Sequence, residues 1–105
     1  MTILDTHAAG EPRKLADDHE SAVEVRGARL LGLWAGEQMG LEADHLEDYA
    51  AAVAGSERAQ GDGDASVQKV ARDLTGAGLK FSADYVRGKM NEFIAMARGQ
   101  LEAGS

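Results

Sequence analysis

Two short clusters of acidic side chains are the residues of this sequence that could hold a metal ion. The first cluster is Asp17, Asp18, His19 and Glu20, which combines carboxylate and imidazole groups. Consecutive residues of a helix point in different directions, and no second histidine lies at a metal-ligand spacing. We therefore predict no metal here and expect Asp17 or Asp18 to cap the N-terminus of the following helix.

The second acidic cluster is similar to part of a calcium-binding loop. Asp62, Asp64 and Ser66 would occupy positions 1, 3 and 5 of such a loop, and Asp73 would occupy position 12. The sharp bend at position 6 requires glycine, whereas this chain has Val67, and position 12 normally supplies a longer glutamate. We predict no calcium site, and Asp64 is instead expected to cap the next helix.

Four basic side chains form a candidate site for an anion such as a nucleotide phosphate. They lie on the last two predicted helices and are Lys69, Arg72, Arg87 and Lys89. These cations would attract phosphate if the helices brought them together. The simpler alternative is ordinary surface pairing with nearby acids, which are Asp73, Asp84 and Glu92.

Residues for catalysis are scarce. The chain contains no cysteine, which excludes disulfide bonds, thiolate metal sites and a cysteine nucleophile. The three histidines, His7, His19 and His45, are scattered, and no serine stands at a suggestive distance from one. The glycines near residues 61–63 lack the lysine and hydroxyl of a phosphate-binding loop. We therefore predict a protein that is not an enzyme and uses no cofactor.

The chain is acidic, and its charge is unevenly distributed. The net charge is −7, and residues 41–64 contain seven acidic residues against one basic residue. Acidic charge repels phosphate backbones and anionic lipid, so we predict no nucleic-acid partner; a protein partner with a basic patch is compatible. No segment approaches the about 18 apolar residues of a membrane span, and the N-terminus lacks a secretory signal. We therefore expect no membrane insertion and a cytoplasmic protein.

Helices must position these candidate sites. Residues 20–39 are predicted to form the central helix. Leu30, Leu31, Leu33 and Trp34 cannot all lie on one helical stripe, so this helix must be covered on two sides. Glycines recur in and near it at roughly one-turn spacing, and these are Gly27, Gly32, Gly36 and Gly40. Glycine in a helix costs about 1 kcal/mol relative to alanine, so we expect close approach by a neighbouring helix backbone. Gly40 is expected to end the helix as a left-handed cap.

Three further helices are predicted near residues 43–57, 65–76 and 82–103, because each stretch has the apolar spacing of an amphipathic helix. Ser82 is expected to cap the last helix. The connector before this helix should pack Leu79 and Phe81 against the bundle. The predicted fold class is all-α, a small four-helix bundle with a flexible N-terminal arm. Its predicted core consists of Leu30, Leu31, Trp34, Leu46, Tyr49, Val53, Val70, Leu74, Phe81, Val86, Met90, Phe93 and Ile94.

Residues 1–19 are predicted to form the flexible arm, and residues 20–103 a single four-helix domain. The arm has few large apolar side chains and no periodic stripe, so it cannot bury enough surface to order itself. Gly10 and Pro12 are expected to interrupt any helix there. From the residues alone, the chain is a small acidic helical module for binding or regulation, with a nucleotide or an unidentified protein as its partner.

Several segments of the chain resemble the zeta subunit of alphaproteobacterial F-type ATP synthases. The most specific are leucine-leucine-glycine-leucine-tryptophan-alanine at residues 30–35 and arginine-glycine-lysine-methionine-asparagine-glutamate at residues 87–92. Shorter matches lie at residues 39–41, 49–50, 67–70, 73–74 and 77–78 and at Ser82. The similarity covers about residues 22–103, roughly three quarters of the chain.

This resemblance implies a four-helix protein that binds the catalytic head of the ATP synthase and catalyses nothing itself. In that family the N-terminal segment is inhibitory: it inserts between catalytic subunits as a helix and blocks rotation in the direction of ATP hydrolysis. Carried over to this chain, the resemblance implies partner-binding residues in the arm, which are Leu4, Asp5, His7, Lys14 and Leu15.

The arm departs from the family pattern at several positions. Leu4 stands where the family has an aromatic residue, and His7 stands where it has arginine. Gly10 and Pro12 also break the continuous helix that insertion requires. We therefore expect inhibition that is weaker than that of a zeta subunit with an unbroken arm, or lost.

Overall fold

The computed structural model describes the backbone of residues 2–60 and 64–103, and the side chains of residues 19–59 and 64–103. Four helices make up most of this chain: α1 (Thr2–Gln38), α2 (Ala43–Gln60), α3 (Asp64–Gly76) and α4 (Ala83–Ala103). No strand occurs within the described ranges. The predicted all-α class with four helices is confirmed. Among the described residues, no helix combines the length and the apolar character needed to cross a membrane.

The first helix begins much earlier than residue 20. α1 starts at Thr2, so its backbone passes through Gly10 and Pro12 without the expected interruption. A proline removes one donor from the helical ladder, and residues 8–16 are otherwise rich in good helix formers. Asp17 and Asp18 lie within α1, so the prediction that one of them caps it is wrong. The side chains of residues 1–18 lie outside the described residues, and the flexibility of the arm stays a prediction.

The predicted caps at Gly40 and Ser82 are confirmed. Gly40 has a φ of 82°, and the Leu41 amide next to it donates to the Gly36 carbonyl at 2.9 Å. This is the geometry of a left-handed C-terminal cap. At the other cap, the Tyr85 amide donates to Ser82 Oγ at 3.0 Å. Both caps satisfy backbone groups that a helix end leaves without a partner.

Glycines of α1 mark the places where other helices approach it. A Cβ atom at Gly27 would lie 3.1 Å from the Cα of Ile94 on α4. Gly32, five residues later, meets the backbone of α2 in the same way. Five residues advance the helix by about 140° beyond one full turn, so α2 and α4 cover different sides of α1. The predicted close approach and two-sided coverage of this helix are confirmed.

The core lies between the C-terminal half of α1 and the other three helices. Of the predicted core residues, those exposed by 2% or less are Leu31, Val53, Val70, Leu74, Val86 and Met90. Those that are partly buried and pack against this cluster are Trp34, Tyr49, Phe81, Phe93 and Ile94. Leu30 and Leu46 are also partly buried but lie outside the cluster. Leu30 is rotated by about 100° from Leu31 around the helix axis, so its side chain points away from the side of α1 that Leu31 presents to the core.

Candidate functional site

Two of the predicted anion-binding residues, Lys69 and Arg72, line a groove of about 440 Å³ between α2 and α3. Lys69 Nζ lies 3.2 Å from Asp73 Oδ2, and the Tyr49 hydroxyl donates to the same oxygen at 2.8 Å. Burial, followed by this hydrogen bond, raises the pKa of Tyr49 well above its usual range. The Asp73 carboxylate offsets the positive charge of Lys69, so the groove favours an internal network over a bound anion.

The other two predicted anion-binding residues, Arg87 and Lys89, are engaged elsewhere. Arg87 forms an ion pair of 2.9 Å with Asp64, which ties the start of α4 to the start of α3. Lys89 Nζ lies 5.6 Å from the centre of the Trp34 ring and 6.0 Å from that of Tyr85. Lys69, Arg87 and Lys89 therefore belong to separate pairings, of the surface kind that the sequence offered as the simpler alternative.

The residues assigned to the inhibitory arm lie within the backbone of α1, and they are Leu4, Asp5, His7, Lys14 and Leu15. Their side chains lie outside the described residues, so their roles stay predictions. The structure shows instead how the segment that carries these residues is connected to the bundle. The arm is a continuation of the helix whose other half carries Ala28, Leu31 and Ala35 into the core.

Ion pairs link α1 to α4 at the place where the arm joins the bundle. We call residues 20–24 the arm root. Arg98 donates two hydrogen bonds to the carboxylate of Glu20, the longer one at 3.3 Å. The hydrogen bond from Arg98 lowers the pKa of Glu20. Just before the root, His19 Nε2 lies 3.9 Å from Glu102 Oε2. Exposed pairs of this kind contribute little to stability, so they orient the root more than they hold it to α4.

Beneath the arm root lies a buried carboxyl group. Glu57 on α2 is only 1% exposed, and the buried Ser66 on α3 donates from Oγ to Glu57 Oε1 at 3.0 Å. Glu24 on α1 is partly buried. Burial, then repulsion by Glu57 and Glu20, raises the pKa of Glu24. The buried carboxyl group of Glu57 thus lies where α2 and α3 meet, within electrostatic range of Glu24 on α1. Within the described residues, no group of acids and histidines is arranged to hold a metal ion.

A groove of about 700 Å³ between α1 and α2 carries three arginines that the sequence analysis did not single out. We call it the arginine groove. Arg26 Nε donates to Gln100 Oε1 at 2.6 Å, and Arg29 donates to both carboxylate oxygens of Glu47 at 3.0 and 3.1 Å. Arg58 of α2 also lines the groove. Its remaining lining is mostly small or apolar and consists of Ser21, Ala22, Val25, Ala51, Ala54 and Leu101.

Comparison with known proteins gives one result that bears on this site. A family model described as ATPase inhibitor subunit zeta matches residues 1–100. No curated protein and no solved structure matches the chain. The matched range includes the arm, the arm root, α1 to α3 and α4 as far as residue 100, so it extends N-terminally beyond the segments that resemble the family in the sequence.

Proposed function

The chain belongs to the ATPase inhibitor subunit zeta family, and we propose that it is a regulatory subunit of an F-type ATP synthase. In this role it binds the catalytic head of the enzyme and restrains ATP hydrolysis, while catalysing no reaction itself. We place it in the cytoplasm, with the head as its protein partner. The family match supports the inhibitory role, and the specific partner and mechanism are our proposal.

One observation carries this proposal, namely that the arm continues the helix whose C-terminal half lies in the core. α1 has 37 residues, and its C-terminal half is fixed in the core. At about 1.5 Å per residue, the residues before the arm root correspond to roughly 27 Å of helix. A helix of that length is long enough to enter a cleft between subunits while the bundle stays outside. The chain therefore divides by function into an arm at residues 1–19 and a carrier domain at residues 20–103.

Within the arm, we assign partner contacts to the five residues that match the family pattern or occupy its positions. Leu4 and Leu15 supply apolar surface, and the charged or titratable groups that orient the arm are Asp5, His7 and Lys14. If the arm is flexible before binding, ordering it costs on the order of 1–2 kcal/mol per residue. Contacts with the head must exceed that cost, which limits the affinity that so few apolar residues provide.

Direct binding to the cognate catalytic head tests the proposal. The full-length chain, labelled near Ser105, is titrated with the purified head and followed by fluorescence anisotropy. We expect saturable binding by the full-length chain and much weaker binding by a chain lacking residues 1–19. Among the residues whose side chains the structure describes, the buried core begins at Val23, so the truncated chain keeps this core and serves as the matched control. An absence of binding by the full-length chain contradicts the partner assignment.

As a second function, we propose that the arginine groove binds a nucleotide. Its volume lies in the range of about 300–1,000 Å³ typical of small-molecule sites. Arg26 and Arg29 already donate to other side chains. The exposed Arg58 is therefore the guanidinium that we assign to phosphate, which such groups bind in a bidentate manner. Titration with ADP or ATP should shift the amide resonances around Arg29 and Arg58, and Arg58→Gln should weaken the effect. Arg72→Gln, which changes a basic residue outside this groove, is the control. Shifts confined to α3 and α4, or no shifts, contradict this function.

A further inference from the structure

The outward side of α4 carries the two large apolar side chains that stay most exposed among the described residues, Tyr85 and Met96, each at 50%. They are separated by about three helical turns and about 20°, so they lie on the same face of α4. The Tyr85 ring is held in place by other rings, with its centre 5.4 Å from that of Phe81 and 6.1 Å from that of Trp34. Aromatic residues and methionine are enriched where proteins contact one another. The proposed inhibitory function uses the arm, so it gives this face no role.

Two residues of opposite charge, Lys89 and Glu92, lie between these apolar side chains on the same face. Lys89 Nζ lies 3.9 Å from Glu92 Oε1. We call Tyr85, Lys89, Glu92 and Met96 the α4 face. The midpoint of this face falls just after Met90, and the four residues are placed symmetrically about it. Tyr85 and Met96 are equally distant from the midpoint, and so are Lys89 and Glu92.

This symmetry makes the α4 face complementary to itself. When two copies of α4 pack antiparallel about a two-fold axis at the midpoint, Tyr85 meets Met96 of the second copy. In the same arrangement Lys89 meets Glu92 of the second copy. The first contact places a sulfur atom against an aromatic ring, and the second brings opposite charges together. A parallel pair in register would instead place each charge against its own kind, which is repulsive. The residues of this face therefore favour the antiparallel arrangement.

Two exposed glycines lie beside the α4 face. Gly88 and Gly99 are within about 60° of Tyr85 around the helix axis. Glycine inside a helix is unfavourable relative to alanine, so its presence calls for a reason. At Gly27 and Gly32 the reason is the close approach of another helix, whereas within one chain a Cβ at Gly88 or Gly99 would meet nothing within 4 Å. A second copy of α4 would supply the close neighbour at these two positions.

We propose that two copies of this chain form a symmetric dimer through the α4 face, with the two α4 helices antiparallel. Each chain has a net charge of −7, but the face itself contains one acid and one base, and the most acidic segment lies at residues 41–64. The face therefore does not repel a second copy. Arg98, near the C-terminal end of α4, contacts Glu20 of the arm root, so the two arm roots lie at opposite ends of the dimer. The dimer does not depend on the proposed inhibitory function.

Sedimentation equilibrium of the full-length chain, from micromolar to millimolar concentration, tests the proposal. The average mass should rise toward twice that of one chain. Lys89→Glu and Glu92→Lys each place like charges opposite one another, so each should weaken dimerisation at least about tenfold. An equimolar mixture of the two variants restores both contacts between opposite charges and should recover dimerisation. Glu42→Lys makes the same change of net charge at an exposed residue before α2, so this control should dimerise like the parent chain.

A nuclear Overhauser effect between the Tyr85 ring and the Met96 methyl group gives a second readout. Within one chain these residues are about 16.5 Å apart along the helix, so the effect can arise only between copies. Gly88→Gln separates association from folding, because its side chain has open space in one chain but stands between two copies. It should keep the thermal stability of the dilute chain and weaken dimerisation at least about tenfold.

Three results overturn the proposal. The first is a chain that stays monomeric at millimolar concentration. The second is a mixture of the two charge variants that associates no better than either variant alone. The third is a dimer that lacks the effect between Tyr85 and Met96 or that Gly88→Gln leaves unchanged. All of these measurements use the chain alone, so they remain valid if the catalytic head proves not to be the partner.

Discussion

A Cβ atom on Gly32 would lie 2.8 Å from the Cα of Ala50 and 3.1 Å from the Cβ of Val53. Real Cβ atoms essentially never approach another heavy atom within 3.0 Å, so this contact admits only glycine. α1 and α2 therefore meet backbone to backbone at this point. The contact fixes the register between the helix that carries the arm and the helix that carries Glu57.

Replacing Gly32 with alanine should destabilise the protein by about 1–3 kcal/mol, because the added methyl group forces the two backbones apart. Urea unfolding followed by circular dichroism measures the change. Gly55→Ala on α2 is the matched control: a Cβ there meets nothing within 4 Å, so the higher helix propensity of alanine should stabilise by up to about 1 kcal/mol. Equal effects of the two substitutions would contradict the close packing at Gly32.

Replacing Tyr49 with phenylalanine removes the hydroxyl that donates to Asp73 and should cost about 1–2 kcal/mol at neutral pH. The pKa of Tyr49 is raised, so the folded protein holds a proton that an unfolded tyrosine releases near pH 10.0. Stability should fall as the pH rises above that value, and the Tyr49→Phe variant should fall less steeply.

Urea unfolding midpoints measured from neutral pH to about pH 11 check this dependence. The half-exposed Tyr85 provides the control, since Tyr85→Phe should leave the profile close to that of the parent chain. Identical alkaline profiles for Tyr49→Phe and the parent would contradict the role given to this hydrogen bond.

Changing both Gly10 and Pro12 to alanine should strengthen inhibition of ATP hydrolysis. Both residues disfavour helix, glycine by about 1 kcal/mol and proline by about 3 kcal/mol relative to alanine, and both lie within the bounds of α1. Forming the helical arm therefore costs less free energy in the double variant than in the parent chain. The concentration for half-maximal inhibition should therefore decrease, and an increase would count against a helical arm in the bound state.

Much of the fold could be predicted from local sequence patterns. The stripes that end in Val53, Leu74 and Leu101 have the helical period, and they located α2, α3 and α4 to within a few residues. Gly27 and Gly32 also pointed to close packing, because a glycine inside a helix has a cost that only contact with a neighbour explains. These signals are carried by a single helix and can be read without knowledge of the tertiary structure.

The features that sequence reasoning missed depend on residues far apart in the chain. Glu57 is one of the seven acidic residues of residues 41–64, and its burial becomes evident only when the helices are packed together and α3 places Ser66 beside it. The arginine groove likewise combines Arg26 and Arg29 with Arg58 of another helix. The N-terminal start of α1 could not be predicted for a different reason: Gly10 and Pro12 disfavour a helix locally, whereas the residues around them favour one.

The most direct test of the regulatory role is the rate of ATP hydrolysis by the cognate catalytic head, measured as the concentration of added chain increases. The full-length chain should reduce this rate in a saturable way, and the chain lacking residues 1–19 should leave it unchanged at the same concentrations. A full-length chain that does not slow hydrolysis, or a truncated chain that inhibits equally well, would contradict the assignment of inhibition to the arm.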